Sequence, residues 1–366
     1  MTDIDYSLLD VPRPLPVTDA DAFLRTVIAW HFSEDTGSAY WLRKAKELDF
    51  DPLTDITTFA DLRRFPNFIG DLRTVAVADL IPRGYGSPAP VPQIFESGGT
   101  TGAPKRTIQM PDWLDQAVRW QADELSAAGY QRNRGLLGIL PSGPHGVGYS
   151  IRSVAERLGS PFFAIDLDPR WTKKLVARGA TAEASAYVDH IIDQAAFVLE
   201  DQEVGNMFTT PPIMSAIARR KELVDLVNEK VRLLVLAGAQ LDPDTYFLLK
   251  DLFPDTTITM TFGNTMTLAP AITRSPEPDD GVFVFDARSP YVAFEVIDPD
   301  SGAPVPYGQR GQVLAHHLSK VMFIPNNLER DTAIRVAGPA GHHGDAISAV
   351  QPVASFEGEA VIEGVY

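Results

Sequence analysis

Short apolar runs alternate with helical patterns through the middle of the chain. The runs at residues 136–140, 162–165, 233–236 and 258–262 have the length and composition of buried strands. Around them, residues 113–128, 151–158, 184–199 and 244–253 place apolar side chains at the three- and four-residue spacing of helices. This alternation predicts an α/β fold with a mainly parallel sheet.

The two ends of the chain have different patterns. Residues 1–92 predict helices, the first behind a capping-box spacing from Thr18 to Asp21, and finish in the proline-rich stretch 87–92. After residue 275, apolar runs at 282–285, 292–297 and 312–316 lie between Gly and Pro turns, which predicts short strands. We therefore expect one large domain with a helical region 1–92, an α/β core 93–275 and a β-rich subdomain 276–366.

Composition and charge narrow the range of functions. The 366 residues include 32 Lys and Arg against 48 Asp and Glu, a formal net charge of −16. This balance argues against nucleic acid or an anionic membrane as a partner, although one local pocket can still be positive. The absence of cysteine excludes disulfides, cysteine-ligated metals and thiol nucleophiles. The acidic start of the chain carries no apolar signal sequence, so we expect a cytoplasmic protein.

A glycine-rich segment carries the clearest chemical signal. Residues 95–105 have the sequence Phe-Glu-Ser-Gly-Gly-Thr-Thr-Gly-Ala-Pro-Lys. Glycines let backbone amides approach a phosphate, the hydroxyls of Thr100 and Thr101 add donors, and Lys105 adds a positive charge. The segment is neither a Walker A loop, since Pro104 precedes the lysine, nor a G-x-G-x-x-G motif. We predict a phosphate-binding loop; the alternative is a polar surface turn.

This loop and several other segments, in order along the chain, resemble the adenylate-forming superfamily of acyl-CoA synthetases, peptide-synthetase adenylation domains and luciferases. Residues 50–53, 61–66 and 71–73 are similar to the opening of its phenylacetate-CoA-ligase-like branch. Pro-Ser-Gly-Pro-His-Gly at 141–146 resembles the acyl-pocket motif, and Thr-Thr-Pro-Pro at 209–212 a helix start. Residues 236–241 resemble the adenine-side loop, residues 261–266 the aromatic-Gly-x-Thr-Glu motif, and residues 344–345 a ribose-binding Gly-Asp pair.

The resemblance implies the layered α/β large domain of such an enzyme and the conversion of a carboxylic acid and ATP to an acyl-adenylate. It assigns catalysis to Lys105, Thr265 and His145. Phe262 would stack on adenine, Asp345 would hold the ribose diol, and Thr265 would bind the α-phosphate. The implied nucleotide contacts are Ser97, Gly98, Gly99, Thr100, Thr101, Gly102, Lys105, Gly238, Ala239, Gln240, Phe262, Gly263, Asn264, Thr265 and Asp345.

Each of these side chains also has a simpler interpretation. Phe262 could be a core aromatic residue, Asp345 a solvated turn residue, and His145 a loop histidine bonded to backbone. The pairs 316–317 and 342–343 are adjacent histidines, and neighbours on a strand point to opposite faces. We therefore predict no metal site at these pairs.

Two departures from the family pattern bear on activity. Met266 occupies the position of a glutamate that helps to hold Mg²⁺, and a thioether is a poor ligand for that ion. Glu96 could supply a carboxylate instead, although an ordinary strand-end acid is the simpler interpretation. The family continues beyond the Gly-Asp pair into a small C-terminal lid domain with a catalytic lysine, whereas this sequence ends at Tyr366. The expectation is a large domain without its lid, slow adenylation and no autonomous transfer to CoA.

Three functions remain open from the sequence. The first is ATP-dependent activation of an aromatic or hydrophobic acid, in secondary metabolism of the phenazine type, with an acceptor protein or partner enzyme in trans. The second is a nucleotide- or acyl-adenylate-binding protein with little turnover. The third is a remnant kept for assembly, with no ligand. ATP or AMP is the expected cofactor, with Mg²⁺ bound without the usual glutamate, and a homodimer is compatible with the sequence.

Overall fold

The computed structural model describes residues 4–12, 17, 19–98, 103–353, 355–356 and 359–360. Helix α1 begins after Asp19, whose carboxylate accepts the Ala22 N–H at 2.9 Å, while the predicted cap Thr18 lies outside the described residues. The α-helices are α1 Ala20–Phe32, α2 Ala39–Lys44, α3 Pro52–Asp55, α4 Val77–Leu80, α5 Pro111–Ala127, α6 Gly146–Leu158, α7 Pro169–Ala177, α8 Thr181–Asp201, α9 Pro211–Ile217, α10 Lys221–Lys230 and α11 Pro243–Leu252.

Two strands form a hairpin ahead of the central sheet, β1 Gln93–Glu96 and β2 Arg106–Gln109. Five parallel strands then build that sheet in the order β4-β3-β5-β6-β7, which confirms the predicted α/β fold. They are β3 Gly135–Leu140, β4 Phe162–Asp166, β5 Val204–Thr209, β6 Leu233–Leu236 and β7 Thr257–Met260. All residues of β3, β5 and β6 are buried because helices cover both faces of the sheet.

The two faces of the parallel sheet belong to different hydrophobic clusters. Leu137 and Ile139 of β3 pack in the cluster that contains Ile191 of α8. Leu136 and Leu140 pack in the cluster that contains α5 and α6 side chains. Since the carboxyl ends of parallel strands meet at one edge, the loops that follow them form a shared crevice there.

A second sheet is antiparallel and has six strands in the order β10-β11-β12-β13-β9-β8. Its strands are β8 Ile272–Thr273, β9 Val284–Asp286, β10 Val292–Ile297, β11 Arg310–Leu318, β12 Phe323–Val336 and β13 Ala346–Pro352. A short hairpin, β14 Ser355–Phe356 with β15 Glu359–Ala360, follows. The short apolar runs between Gly and Pro turns after residue 275 fall mainly in this sheet.

The N-terminal helices pack on the antiparallel sheet through aromatic rings. Phe323 of β12 meets Phe32, Trp41 and Phe65 with ring centroids 5.6, 5.2 and 5.2 Å apart. Edge-to-face contacts of this kind add to the area that the rings bury. The helices and the sheet therefore share one hydrophobic core. Within the described part of the chain, no helix combines the length and the apolar character needed to cross a bilayer.

Candidate functional site

A cavity of about 420 Å³ lies at the carboxyl edge of the parallel sheet. Residues that follow β3, β5, β6 and β7 form one side, including Pro141, Thr210 and Ala237. Residues 327–331 of β12 and 349–352 of β13 form the other side. A crevice at strand ends, between two sheets, is where ligands bind in open α/β folds.

The structure brings most of the predicted site residues to this cavity. Gly99, Thr100, Thr101 and Gly102 lie outside the described residues, and Asp345 does not line the cavity. The predicted residues that line it are Ser97, Gly98, Lys105, His145, Gly238, Ala239, Gln240, Phe262, Gly263, Asn264 and Thr265.

The predicted phosphate loop lies in the sequence between the paired strands β1 and β2, and its described residues are Ser97, Gly98 and 103–105. Ser97 and Lys105 close it with two hydrogen bonds: the Ser97 N–H donates to the Lys105 carbonyl at 2.9 Å, and the Lys105 N–H donates to the Ser97 hydroxyl at 3.0 Å. Two arginines outside the hairpin hold its backbone. Arg170 donates to the Ser97 carbonyl at 3.1 Å and Arg73 to the Ala103 carbonyl at 3.1 Å. Sequence reasoning missed both, because they come from distant segments.

Glu96, the carboxylate considered for Mg²⁺, is engaged elsewhere. Its two oxygens accept from Arg106 at 3.0 Å and from Arg170 at 2.8 Å. Burial acts to raise the pKa of Glu96, but these two guanidinium groups outweigh it and lower the pKa. The side chain stays ionised and fixes α7 to the base of the phosphate loop.

The predicted adenine-side loop, residues 236–241, begins at the end of β6. Gly238 has a φ of 80°, a left-handed conformation that favours glycine, and directly follows Ala237, whose N–H donates to the Thr209 carbonyl at 3.0 Å. Phe262 lines the cavity and is half-buried. The centroid of its ring lies 5.6 Å from that of Phe285 and 6.1 Å from that of Phe294. Phe262 therefore packs as the core interpretation expects, and because it also lines the cavity, stacking on adenine stays a prediction.

The side chain of Asn264 stabilises a turn in the 261–266 motif through two hydrogen bonds to backbone N–H groups. The Asn264 carboxamide oxygen accepts the Met266 N–H at 2.8 Å and the Thr267 N–H at 3.1 Å. This turn places the Thr265 hydroxyl 3.4 Å from the Glu96 carbonyl, beside the phosphate loop. Met266 is 6% exposed and contributes an apolar wall where the family pattern has a carboxylate.

Two carboxylates on β12 line the cavity, and the sequence did not single them out. Glu329 accepts the Asn327 amide at 2.6 Å. Burial, followed by the negative charge of Asp331, raises the pKa of Glu329 to about 7, while Lys105 acts in the opposite direction. This interaction places Glu329 near the lysine of the phosphate loop. The polar run Asn-Asn-Leu-Glu-Arg-Asp at 326–331 was the available signal.

The structure places Asp345 away from the cavity. Its carboxylate accepts from Arg335 at 2.8 Å and from the Val296 N–H at 3.1 Å, and its own N–H donates to the Phe294 carbonyl at 2.7 Å. At 5% exposure it is not the solvated turn residue of the simpler interpretation either. Asp345 thus joins β10 to the end of β12 and is not among the residues that line the cavity, and its predicted ribose-binding role stays a prediction.

His145 is the N-cap residue of α6 and lines the cavity. The loop before it is tied to the phosphate hairpin, because the Glu96 N–H donates to the Pro144 carbonyl at 2.7 Å. Burial and the neighbouring Arg170 lower the pKa of His145, so the imidazole is neutral at pH 7. A neutral imidazole can donate one hydrogen bond and accept another.

The histidines on β11 have separate structural partners. His316 Nε2 lies 3.0 Å from the Glu295 carboxylate, while His317 Nδ1 lies 3.0 Å from the Thr267 carbonyl. Among the residues that the structure describes, no three His, Asp or Glu side chains form a metal-binding group. Mg²⁺ prefers hard oxygen ligands, and Glu329 and Asp331 are carboxylates that line the cavity.

The chain is similar in structure to 2-hydroxyisobutyryl-CoA ligase. The likeness to that ligase in its postadenylation state, in complex with R3-HIB-AMP, has a TM-score of 0.59 at 16% identity, over 94% of this chain and 70% of the other. The likeness to the complex with 2-HIB-AMP and CoA in the thioesterification state has a TM-score of 0.58, over 91% and 67%.

Comparisons by sequence add nothing to this likeness, since no family model and no curated protein matches the chain. An identity of 16% establishes the fold alone. The chain therefore has the fold of an adenylate-forming ligase, and its chemistry rests on the cavity just described.

Proposed function

We propose that this protein activates a carboxylic acid with ATP to form an acyl-adenylate. The main support for the proposal is that three separate segments line one cavity. They are the two ends of the predicted phosphate loop, the loop after β6 and the 261–266 motif. Independent segments that supply hydroxyls, a lysine and an aromatic ring to one space favour a nucleotide as ligand. The shared fold with a ligase whose complex holds an acyl-AMP supports the same reaction.

In the proposed reaction a carboxylate oxygen attacks the α-phosphorus of ATP. The new O–P bond forms as the bond to the bridging oxygen of pyrophosphate breaks, and pyrophosphate leaves with that electron pair. No protein nucleophile is needed, so positioning and charge stabilisation carry the catalysis. Lys105 and the Thr265 hydroxyl would stabilise charge on the phosphates. His145, neutral at pH 7, would donate a hydrogen bond to the carboxylate and orient it.

We propose that Asp331 accepts the ribose hydroxyls in place of Asp345. Asp331 lines the cavity, and a carboxylate can accept two hydrogen bonds from a diol. Glu329, beside Lys105, would be the carboxylate that holds Mg²⁺ together with phosphate oxygens and water, rather than Met266 or Glu96. When bound, the ion would neutralise charge on the triphosphate.

Part of the cavity wall is apolar. Ile139, Leu140, Phe208, Leu268 and Phe283 line it. We therefore propose an aromatic or hydrophobic acid, of the kind used in phenazine-type secondary metabolism, as the sequence resemblance implies. The acceptor would be a partner enzyme or carrier protein in the cytoplasm, where ATP is available.

The test is acid-dependent exchange of labelled pyrophosphate into ATP, with a panel of aryl acids. We expect exchange with at least one acid, and a loss of about 10²- to 10³-fold in Lys105→Ala, the scale for one missing group at a developing charge. Lys221→Ala is the matched control, because that lysine pairs with Asp225 on the exposed surface of α10. Exchange that is absent with every acid, or unchanged in Lys105→Ala, contradicts catalysis.

A second function is favoured by one observation, the buried thioether of Met266 at the family's glutamate position. In that case the chain binds a nucleotide or an acyl-adenylate with little turnover. ATP binding by calorimetry, without exchange under any metal condition, distinguishes this function from adenylation.

A further inference from the structure

One wall of the cavity contains a buried glutamine with an unpaired oxygen. Gln121 lies on α5, on the helix face that also carries Trp113, Ala117 and Glu124. It lines the cavity and is 6% exposed, and its Oε1 atom has no hydrogen-bond partner. Buried carbonyl oxygens without a partner are uncommon in folded proteins, and each one calls for an explanation.

The surroundings of Gln121 are fixed. Trp113 Nε1 donates to the Leu268 carbonyl at 3.0 Å, and Arg288 Nε donates to the Pro270 carbonyl at 2.6 Å. Arg288 also pairs with Glu124, one turn beyond Gln121 on α5. These contacts clamp residues 268–270 against the helix on both sides of Gln121, so that the loop and the helix form one rigid wall.

Gln121 Oε1 accepts no hydrogen bond from the described residues that line the cavity. Ala117, Leu140, Phe208 and Ala269 line the cavity and carry no side-chain donor. Thr209, at the end of β5, also lines the cavity, is 1% exposed and has an unpaired hydroxyl oxygen. Among the described residues, Gln121 Oε1 and Thr209 Oγ1 are thus two unpaired polar atoms on side chains that line the cavity.

We propose that the acid activated by this protein carries a hydrogen-bond donor on its apolar body, a hydroxyl or amino group, and that Gln121 Oε1 accepts it. The inference rests on the proposed function and makes Gln121 a specificity-determining residue. A site built to accept a hydrogen bond rejects an analogue that lacks the donor, because its own acceptor is then left unpaired. We expect a preference of about ten- to hundred-fold.

The experiment uses acyl-sulfamoyl adenosines, which are stable mimics of acyl-adenylates and need no turnover to bind. Affinities are measured by calorimetry for the benzoyl and naphthoyl parents and for every ring-hydroxylated and ring-methoxylated isomer. We expect one hydroxylated isomer to bind at least ten-fold more tightly than both its parent and its methoxylated counterpart. In Gln121→Leu that ratio falls to about one.

Gln116→Leu is the matched control. Gln116 is a second buried glutamine of α5 with an unpaired Oε1, but it does not line the cavity. Its replacement should leave the hydroxyl preference intact. Equal binding of parent and hydroxylated compounds, or a preference that survives in Gln121→Leu, overturns the inference.

Binding of ATP to the same wild-type sample separates this inference from the proposed function. If ATP binds and the acyl series shows no hydroxyl preference, only the role of Gln121 is wrong. If neither ATP nor any member of the series binds, the proposed function falls as well.

Discussion

The pKa of Glu329 is raised to about 7, so its charge changes within the physiological range of pH. It shares its wall of the cavity with Asp331 and Arg330 and lies near Lys105. Burial favours its neutral form, and the negative Asp331 adds to this effect. A carboxyl group with a pKa near 7 beside the predicted phosphate loop would link the proposed nucleotide binding to pH, because a phosphate repels its ionised form unless a cation lies between them.

A Glu329→Gln substitution should change how stability depends on pH. The pKa of Glu329 is raised from 4.5 to about 7 in the folded protein, so its contribution to stability is fully present below pH 4.5 and is lost as pH rises through 7. From pH 5 to pH 8 the wild type should therefore lose about 1 to 3 kcal/mol of unfolding free energy relative to the variant.

Urea unfolding at four pH values across that range measures this difference. The exposed Glu203, which pairs with Arg134 at 3.5 Å, provides the control variant Glu203→Gln. Parallel stability curves for wild type and Glu329→Gln would show that the Glu329 carboxyl is not perturbed.

At the scale of elements, the long strand β12 decides which carboxylate reaches the cavity. It pairs with β11 on one side and β13 on the other, and this position presents residues 327–331 to the cavity. Asp345 lies beyond the end of this strand and bridges to Phe294 of β10. We therefore propose a role in binding for Asp331 and a role in folding for Asp345.

Alanine substitutions at these two aspartates should affect different properties, ATP affinity for Asp331 and stability for Asp345. Asp331→Ala should weaken ATP binding about 10- to 100-fold, since hydrogen bonds to a charged group are lost. Asp345→Ala leaves Arg335 without its buried partner and should cost about 3 to 5 kcal/mol of unfolding free energy. Calorimetry with ATP and chemical denaturation of both variants check the pair. A large loss of ATP affinity in folded Asp345→Ala would return the ribose role to that residue.

The positions of strands could be predicted from the sequence where a strand consists of one uninterrupted apolar run. Strands β3 and β6 begin within a residue of the predicted positions. The central strand β5 was missed because Asn206 interrupts its apolar run. That side chain is satisfied only in the fold, where it accepts the Gln131 N–H at 2.8 Å and donates to the Gln131 carbonyl at 3.0 Å.

Strand β12 escaped prediction for a related reason. Its polar middle carries no alternation of apolar residues, and only pairing on both sides makes it a strand. Local motifs such as Ser97 to Lys105 could be found because their chemistry is contiguous in sequence. The choice between Asp331 and Asp345 could not, because it depends on the path of a strand that the pattern does not predict.

For the molecule as a whole, the cavity contains a local group of cations in an acidic protein. The chain carries a net charge of −16, yet three cations, Arg73, Lys105 and Arg330, line the cavity together with the two carboxylates Glu329 and Asp331. An acidic surface repels polyanions at long range, whereas a local cluster of cations holds one small anion at short range. This distribution is compatible with the proposed nucleotide ligand.

The central claim is that the cavity between the two sheets binds a purine nucleotide. A crystal structure of the protein with AMP at saturating concentration tests it most directly. We predict the phosphate beside Lys105 and Thr265, the purine between Phe262 and the loop after Gly238, and the ribose at Asp331. AMP bound elsewhere, or a cavity that stays empty of nucleotide at that concentration, would contradict the claim.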